Sequence, residues 1–184
     1  MKKVYMDESA EVVAVHNIKT LQQKITEEML MARDINGDTL LHSAVRQNCL
    51  KELISKFNYG VKITEKMLMA HDINGDTVLH IAGEQLPELV KGFSRDITLT
   101  PTLMAKAVSS NGTPALDWAG YIKELIAASL KITSVADLEV KFLRGDTILY
   151  RAIEQKCLKE LVGAFGYGVK ITEKMLMAHD INGD

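Results

Sequence analysis

The pentapeptide Asp34-Ile35-Asn36-Gly37-Asp38 places three oxygen-bearing side chains within one short stretch, and it returns at 72–76 and 180–184. Such a cluster could hold calcium. An EF-hand loop, however, takes ligands at its first, third and fifth positions, a glycine at the sixth and a glutamate at the twelfth. Here the glycine stands fourth, and Thr39-Leu40-Leu41-His42 follows as a buried helix start. Asp, Asn and Gly in this order serve a tight turn, and that reading is preferred. His42 and His80 are the next candidates. A metal role would need Cys or a second His at ligand spacing, and neither histidine has one. His71-Asp72 and His179-Asp180 are pairs of the kind found in metal-dependent hydrolases, but Arg33 fills the same slot before Asp34. There is no glycine-rich phosphate loop, no nucleophile elbow and no coherent pair of carboxylates. The sequence therefore points to no enzyme, no cofactor and no intrinsic metal site.

What positions these residues is a repeat. The eighteen residues YGVKITEKMLMAHDINGD at 59–76 recur unchanged at 167–184. Aligned on the turn glycine, the copies read DINGDTLLHSA (34–44), DINGDTVLHIA (72–82), SSNGTPALDWA (109–119) and FLRGDTILYRA (142–152), with DINGD (180–184) opening a fifth. Gly37, Gly75, Gly112, Gly145 and Gly183 lie 38, 37, 33 and 38 residues apart. A period of this length signals a stacked repeat array.

Each copy has the makings of helices. The glycine supplies φ > 0 for the turn. Thr39, Thr77 and Thr147 are placed to cap the first helix. A second helix carries paired apolar positions in CLKELISKF, LPELVKGF, YIKELIAASL and CLKELVGAF. Pro87 falls in its first turn, where a missing N–H costs little. The connector KITEKMLMA predicts a capped single turn of helix from Thr64, with Met67, Leu68 and Met69 facing inward. The methionine pairs Met29/Met31, Met67/Met69 and Met175/Met177 fill the core or form a soft contact surface. Nothing alternates with period two, so no sheet is expected. The fold class is all-α, a helical repeat solenoid.

Composition sets the outer limits. The chain has 184 residues, 47% hydrophobic and 25% charged, with a formal net charge of −2. That balance argues against nucleic acid or an anionic membrane as partner. No apolar run nears the roughly 18 residues that span a bilayer. The opening MKKVYMDESAEVVAV lacks the apolar core of a signal peptide. Cys49 and Cys157 occupy the same phrase, CLKEL, in two different copies. Stacking holds such positions layers apart, too far for the roughly 7 Å Cα separation of a disulfide. Both read as reduced core thiols, in keeping with a cytoplasmic protein.

The pattern D-x-x-G-x-T-x-L-H-x-A resembles the ankyrin repeat. Asp34, Gly37, Thr39, Leu41, His42 and Ala44 match it in the first copy; Asp72, Gly75, Thr77, Leu79, His80 and Ala82 match it in the second. The third copy has Pro114 for the threonine and Asp117 for the histidine, and its ALDWA is similar to a common ankyrin variant. The fourth has Phe142 for the first aspartate and Tyr150 for the histidine. The T-P-L-H proline is missing from copies one, two and four, and most periods exceed the family's usual one. The long Met/Leu-rich connector resembles that of effector proteins of intracellular bacteria. Residues 1–24 read as an N-terminal half-repeat or cap, and 25–184 as the array.

The resemblance implies that His42 and His80 hydrogen-bond to the threonine and to neighbouring backbone. It also implies a protein partner held by turn tips and first helices. Carried over by position, the tips give Arg33, Asn36 and Asp38, then Asn74 and Asp76, then Leu143, Arg144 and Asp146. The turns after the first helices give Arg46 and Gln47, Glu84 and Gln85, Tyr121, and Glu154 and Gln155. Trp118, the only tryptophan, is either a hot spot or a filler of the degenerate third copy. The implied function is an interaction scaffold, as a segment of a secreted effector in a host cytosol or, alternatively, as a regulatory region of a larger enzyme. The exact repetition at 167–184 suggests a chain cut from a longer array. On that expectation Leu158, Leu161, Val162, Met175 and Leu176 stand partly uncovered, and the final repeat frays or self-associates.

Overall fold

The computed structural model describes residues 24–34, 37–118 and 122–176, with the side chains of Trp118 and Lys174 left aside. The expected cap, Asn36, Tyr121 and the end of the second identical phrase lie outside the described residues, as does any contact of the Trp118 ring. Short helices follow one another: α1 (Glu27–Met31), α2 (Leu40–Arg46), α3 (Leu50–Ser55), α4 (Glu65–Leu68), α5 (Val78–Ile81), a 3-10 turn (Gly83–Gln85) and α6 (Leu86–Lys91). Then come α7 (Pro101–Lys106), α8 (Ala115–Trp118), α9 (Ile122–Ala127), α10 (Val135–Glu139), α11 (Ile148–Glu154), α12 (Leu158–Gly163) and α13 (Glu173–Leu176). Among the described residues there is no strand, only isolated bridges. The all-α architecture is as the sequence predicts.

Three of the bridges show where a repeat begins and ends. Ile25 pairs in parallel with Phe57, Ile63 with Phe93 and Ile132 with Phe165. In each case the residue before the connector helix closes on the residue after the second helix. Connector helices α1, α7 and α10 also pack on the first helices that follow them, α2, α8 and α11. The unit is therefore a trio of helices, and the connector belongs to the repeat it precedes. Its N-terminus is well capped: Thr26 accepts from the Met29 N–H at 3.4 Å and Thr100 from the Leu103 N–H at 3.1 Å. Met67 and Leu68 are buried, while Met69 is only partly so, packed at the edge of the core.

The turn glycines take the predicted left-handed backbone. Gly37 has φ 72°, Gly75 φ 81°, Gly112 φ 84° and Gly145 φ 87°. Each turn is pinned by an antiparallel bridge, Arg33 to Thr39, His71 to Thr77, Val108 to Pro114 and Lys141 to Thr147. Thr39, Thr77 and Thr147 occupy the N-cap positions of α2, α5 and α11.

One apolar core runs through all the repeats, from Ile25 to Leu161. First helices stack in a row, α2 on α5 and α5 on α8. Second helices stack behind them, α3 on α6 and α9 on α12. One such unit cannot bury its apolar stripe alone, so each layer is stabilised by its neighbours. Cys49 and Cys157 form no disulfide and are buried at matching positions before α3 and α12.

Candidate interaction surface

The turns and first helices carry most of the sequence-predicted partner residues, and each turn is built from its own polar groups. Asp72 Oδ1 accepts from the backbone N–H of Asn74 at 2.8 Å and of Asp76 at 2.9 Å. Its Oδ2 accepts from Arg46, one repeat earlier. Burial pushes the Asp72 carboxyl up, but the Asp76 N–H, the Arg46 charge and the Asn74 N–H outweigh it and hold it below the usual range. This carboxylate is spent on the turn and on the neighbouring repeat. Among the described residues no group of three acidic, His or Cys side chains is arranged to hold a metal ion.

His42 has its Nε2 3.2 Å from the carbonyl of Asp76, and His80 has its Nε2 2.9 Å from the carbonyl of Thr113. A carbonyl only accepts, so Nε2 carries the proton and Nδ1 is left as the acceptor. Thr39 and Thr77 donate their hydroxyls to those Nδ1 atoms, each at 2.8 Å. The histidines thus tie the cap of one helix to the turn of the next repeat. Burial of His42 depresses its pKa to about 4, against a weaker opposing pull from the Asp76 carbonyl. His71 is exposed and donates through Nε2 to the Val108 carbonyl at 2.7 Å, another tie between repeats.

Several expected contact residues are engaged inside the array, within their own repeat or with a neighbouring one. Asp38 is buried and paired with Arg46 at 3.2 Å, and burial raises its pKa against the pull of that cation. Arg33 is exposed but donates to the Gly37 carbonyl at 2.6 Å and to the His71 carbonyl. Asp146 is buried and accepts from Arg151 at 2.8 Å. Arg151 lies 3.4 Å from the ring centre of Phe142, an apolar residue in the aspartate slot that the guanidinium covers. Gln85 donates to the Val45 carbonyl at 2.6 Å, and Gln155 accepts from the Ile122 N–H at 2.8 Å. Asp76 is half-buried. Gln47, Asn74, Glu84, Arg144 and Glu154 are exposed, as is Leu143.

Two features escape a reading of the sequence. Ile73, inside the repeated pentapeptide and not among the expected contacts, is 71% exposed; it is the counterpart of Leu143, an expected tip residue that is 62% exposed. Asp137 is buried in a slot where other connectors carry Met29, Met67 or Leu103. It accepts from the hydroxyls of Thr102 at 2.6 Å and Thr133 at 2.8 Å, and from the Thr133 and Ser134 N–H groups. Burial pushes its carboxyl up, yet these donors more than compensate and lower it. It clamps α10 to α7. An acid in an apolar slot was the signal.

At the end of the described array, Leu161 is fully buried, contrary to expectation, because it faces the core of its own repeat. Leu158 and Met175 are half-buried, and Val162 and Leu176 are exposed.

No protein-family model matches the sequence, and neither does any curated protein. Among solved structures, the chain is similar to the crystal structure of EF0377, an ankyrin repeat protein. The match has TM-score 0.52 at 19% identity and covers 98% of this chain and 89% of that one. The chain has the ankyrin-repeat fold. A second ankyrin structure, the repeat domain of Bcl-3, a member of the IkappaB protein family, matches with TM-score 0.43 at 15% identity, over 100% of this chain and 92% of that one. The histidine ties join cap, helix and following turn at both intact T-x-L-H motifs, as the sequence resemblance implies. Among the described residues, no helix is long and apolar enough to cross a membrane.

Proposed function

We propose that this ankyrin array is a protein-binding module whose contact surface is the row of turn tips. The observation that carries the reading is the exposure of Ile73 and Leu143 at equivalent tips. Exposed aliphatics are common singly. These two recur at one register of the repeat, on turns whose own polar groups are already satisfied. Asn74 and Arg144 stand next to them, exposed, and supply polar contacts. Apolar anchors ringed by polar groups are the usual make-up of a hot spot. Arg33, Asp38, Asp76 and Asp146 serve this surface by setting the turns. The bacterial-effector reading and the enzyme-region reading rest on sequence resemblance and add no residue to it.

The test is affinity capture from a cell extract by wild type and by Ile73→Asp/Leu143→Asp, with thermal melts alongside. The expected result is partners lost from the variant while its melting temperature is kept. The same partners on both proteins would remove the tips from the surface.

A further inference from the structure

The row of second helices is interrupted once. α3 lies against α6 and α9 against α12, but among the described residues α6 has no comparable contact with α9. At the closed junction, Gly92 lets α6 approach: a Cβ there would lie 2.6 Å from Ile63 Cδ1 and 3.2 Å from Ile54 Cδ1. The corresponding residue of α9 is Ala128, just past its last turn. The second repeat is also shorter between His80 and Leu89 than the first between His42 and Leu53, and the 3-10 turn Gly83–Gln85 takes up the difference.

The result is a cleft of about 410 Å³ between α6 and α9. That falls within the roughly 300–1,000 Å³ of ligand-sized pockets. Its floor rests on the buried Leu86, Met104, Leu125 and Ala128, and its open apolar surface comes from Pro87 and Ala127. Glu84 and Glu124 also line it, one from each side, and both are exposed. The nearby cations are occupied or turned away. Lys91 is paired with Glu88 at 2.6 Å. Lys123 lies beside Cys157, on the α12 side of α9. An apolar hollow with two carboxylates and, among the described residues that line it, no Lys or Arg attracts a group that is apolar and positively charged, and repels an anionic one.

We propose that this cleft receives a basic apolar segment of the protein partner. An aliphatic side chain enters the hollow, and an adjacent Arg or Lys pairs with Glu84 and Glu124. The inference rests on the protein-binding reading, but it uses second helices rather than turn tips.

The probes are two blocked dipeptides, N-acetyl-Leu-Arg-amide and N-acetyl-Leu-Glu-amide, titrated into the methyl-labelled protein and followed by NMR. The Arg probe is expected to shift the Met104 and Ala128 methyls and to bind about five-fold tighter than the Glu probe, the scale of two exposed ion pairs. The preference should shrink in high salt. Glu84→Gln/Glu124→Gln should bring the two probes level, and Ala128→Leu should abolish both by filling the hollow. Equal binding of the two probes by wild type overturns the proposal. So does the absence of shifts at Met104 and Ala128. Ile73→Asp/Leu143→Asp should leave these titrations unchanged, so a failure at the tips is distinguishable from a failure at the cleft.

Discussion

The junction between repeats one and two and the junction between repeats two and three share the first-helix stack and the histidine tie to the following turn, and differ in their other contacts. At the first, Arg46 spans the gap to reach both Asp38 and Asp72, Arg33 reaches the His71 carbonyl, and α6 closes on α3. At the second, the ties at the turns are neutral, His71 to the Val108 carbonyl and Ser110 to the Asn74 and Gly75 carbonyls, and the charged pair, Lys106 with Glu65 at 3.4 Å, joins the exposed faces of the connectors. Its second helices stand apart around a cleft. A repeat array therefore tolerates very different junction chemistry, provided that each turn keeps its shape and each first helix finds the next. The stack sets the fold, and the remaining contacts are free to vary towards binding.

The largest effect should come from the turn glycines, and it should be unequal. A Cβ on Gly75 would lie 2.1 Å from Ser110 Cβ and 2.9 Å from Ser110 N, so the third repeat's turn would have to move. A Cβ on Gly37 comes no closer than 3.2 Å, to Ile73 N. Both glycines also hold positive φ. Gly75→Ala should cost about 3 kcal/mol and Gly37→Ala about 1 kcal/mol, read from chemical denaturation. Equal costs would mean that the second junction yields as easily as the first.

Acid should loosen the first junction next. The pKa of His42 is depressed from 6.5 to about 4 in the folded chain. The unfolded chain then takes up a proton that the folded chain refuses, so stability is full above pH 6.5 and drains away as pH falls towards 4. Between pH 7 and pH 5 the loss is about 2 kcal/mol. Asp72 and Arg46 face the ring with opposite effects, and Asp38, raised by burial, regains a little stability over the same range. Melts at the two pH values should show the drop in wild type and a clearly smaller one in His42→Gln.

Removing the charged tie should matter less. The Asp72 side chain is fully buried and that of Arg46 is 37% exposed. Arg46→Leu strands a buried carboxylate, a fault that costs about 3–5 kcal/mol when both partners are sealed from water. Exposure of the guanidinium and the backbone donors that Asp72 keeps bring the expectation down to about 1–2 kcal/mol. Arg46→Leu/Asp72→Asn should recover part of it in urea denaturation. No recovery would mean that the pair is not the link between the repeats.

How much of this was legible depended on distance along the chain. The positive φ of Gly37 and Gly75 and the Thr39–His42 and Thr77–His80 pairs are local, decided within a few residues by turn and cap chemistry. The helix trios were visible in the apolar spacing, though their true start at Ile25, Ile63 and Ile132 needed the parallel bridges. Arg46 to Asp72 and Gln85 to Val45 could not be seen, because only the stacking angle brings residues so far apart in sequence together. The inward turn of Asp38 and Asp146 was missed for the same reason: at a turn tip a polar residue looks solvent-bound until the Arg of its own first helix folds back over it.

The smallest effects probe why one junction closes and the other does not. Gly92 sits at φ −83°, a conformation open to any residue, so adding a side chain there tests space alone. The atom it would meet most closely, Ile63 Cδ1, is the end of a flexible side chain and can give way. Gly92→Ala should therefore cost about 1 kcal/mol, the lower end of overpacking. Ala128→Gly makes the reverse change, opening the position that α9 presents towards α6. Past the end of its helix the swap carries little propensity cost, and stability should move by about 0.5 kcal/mol or less. Closure would show in the cleft: if a β-carbon at this position holds α6 and α9 apart, Ala128→Gly should draw them together and weaken the shift that N-acetyl-Leu-Arg-amide produces at the Met104 methyl. An unchanged shift would place the cause in the shortened second repeat, where inserting two residues after Ala82 would be the change that closes the row.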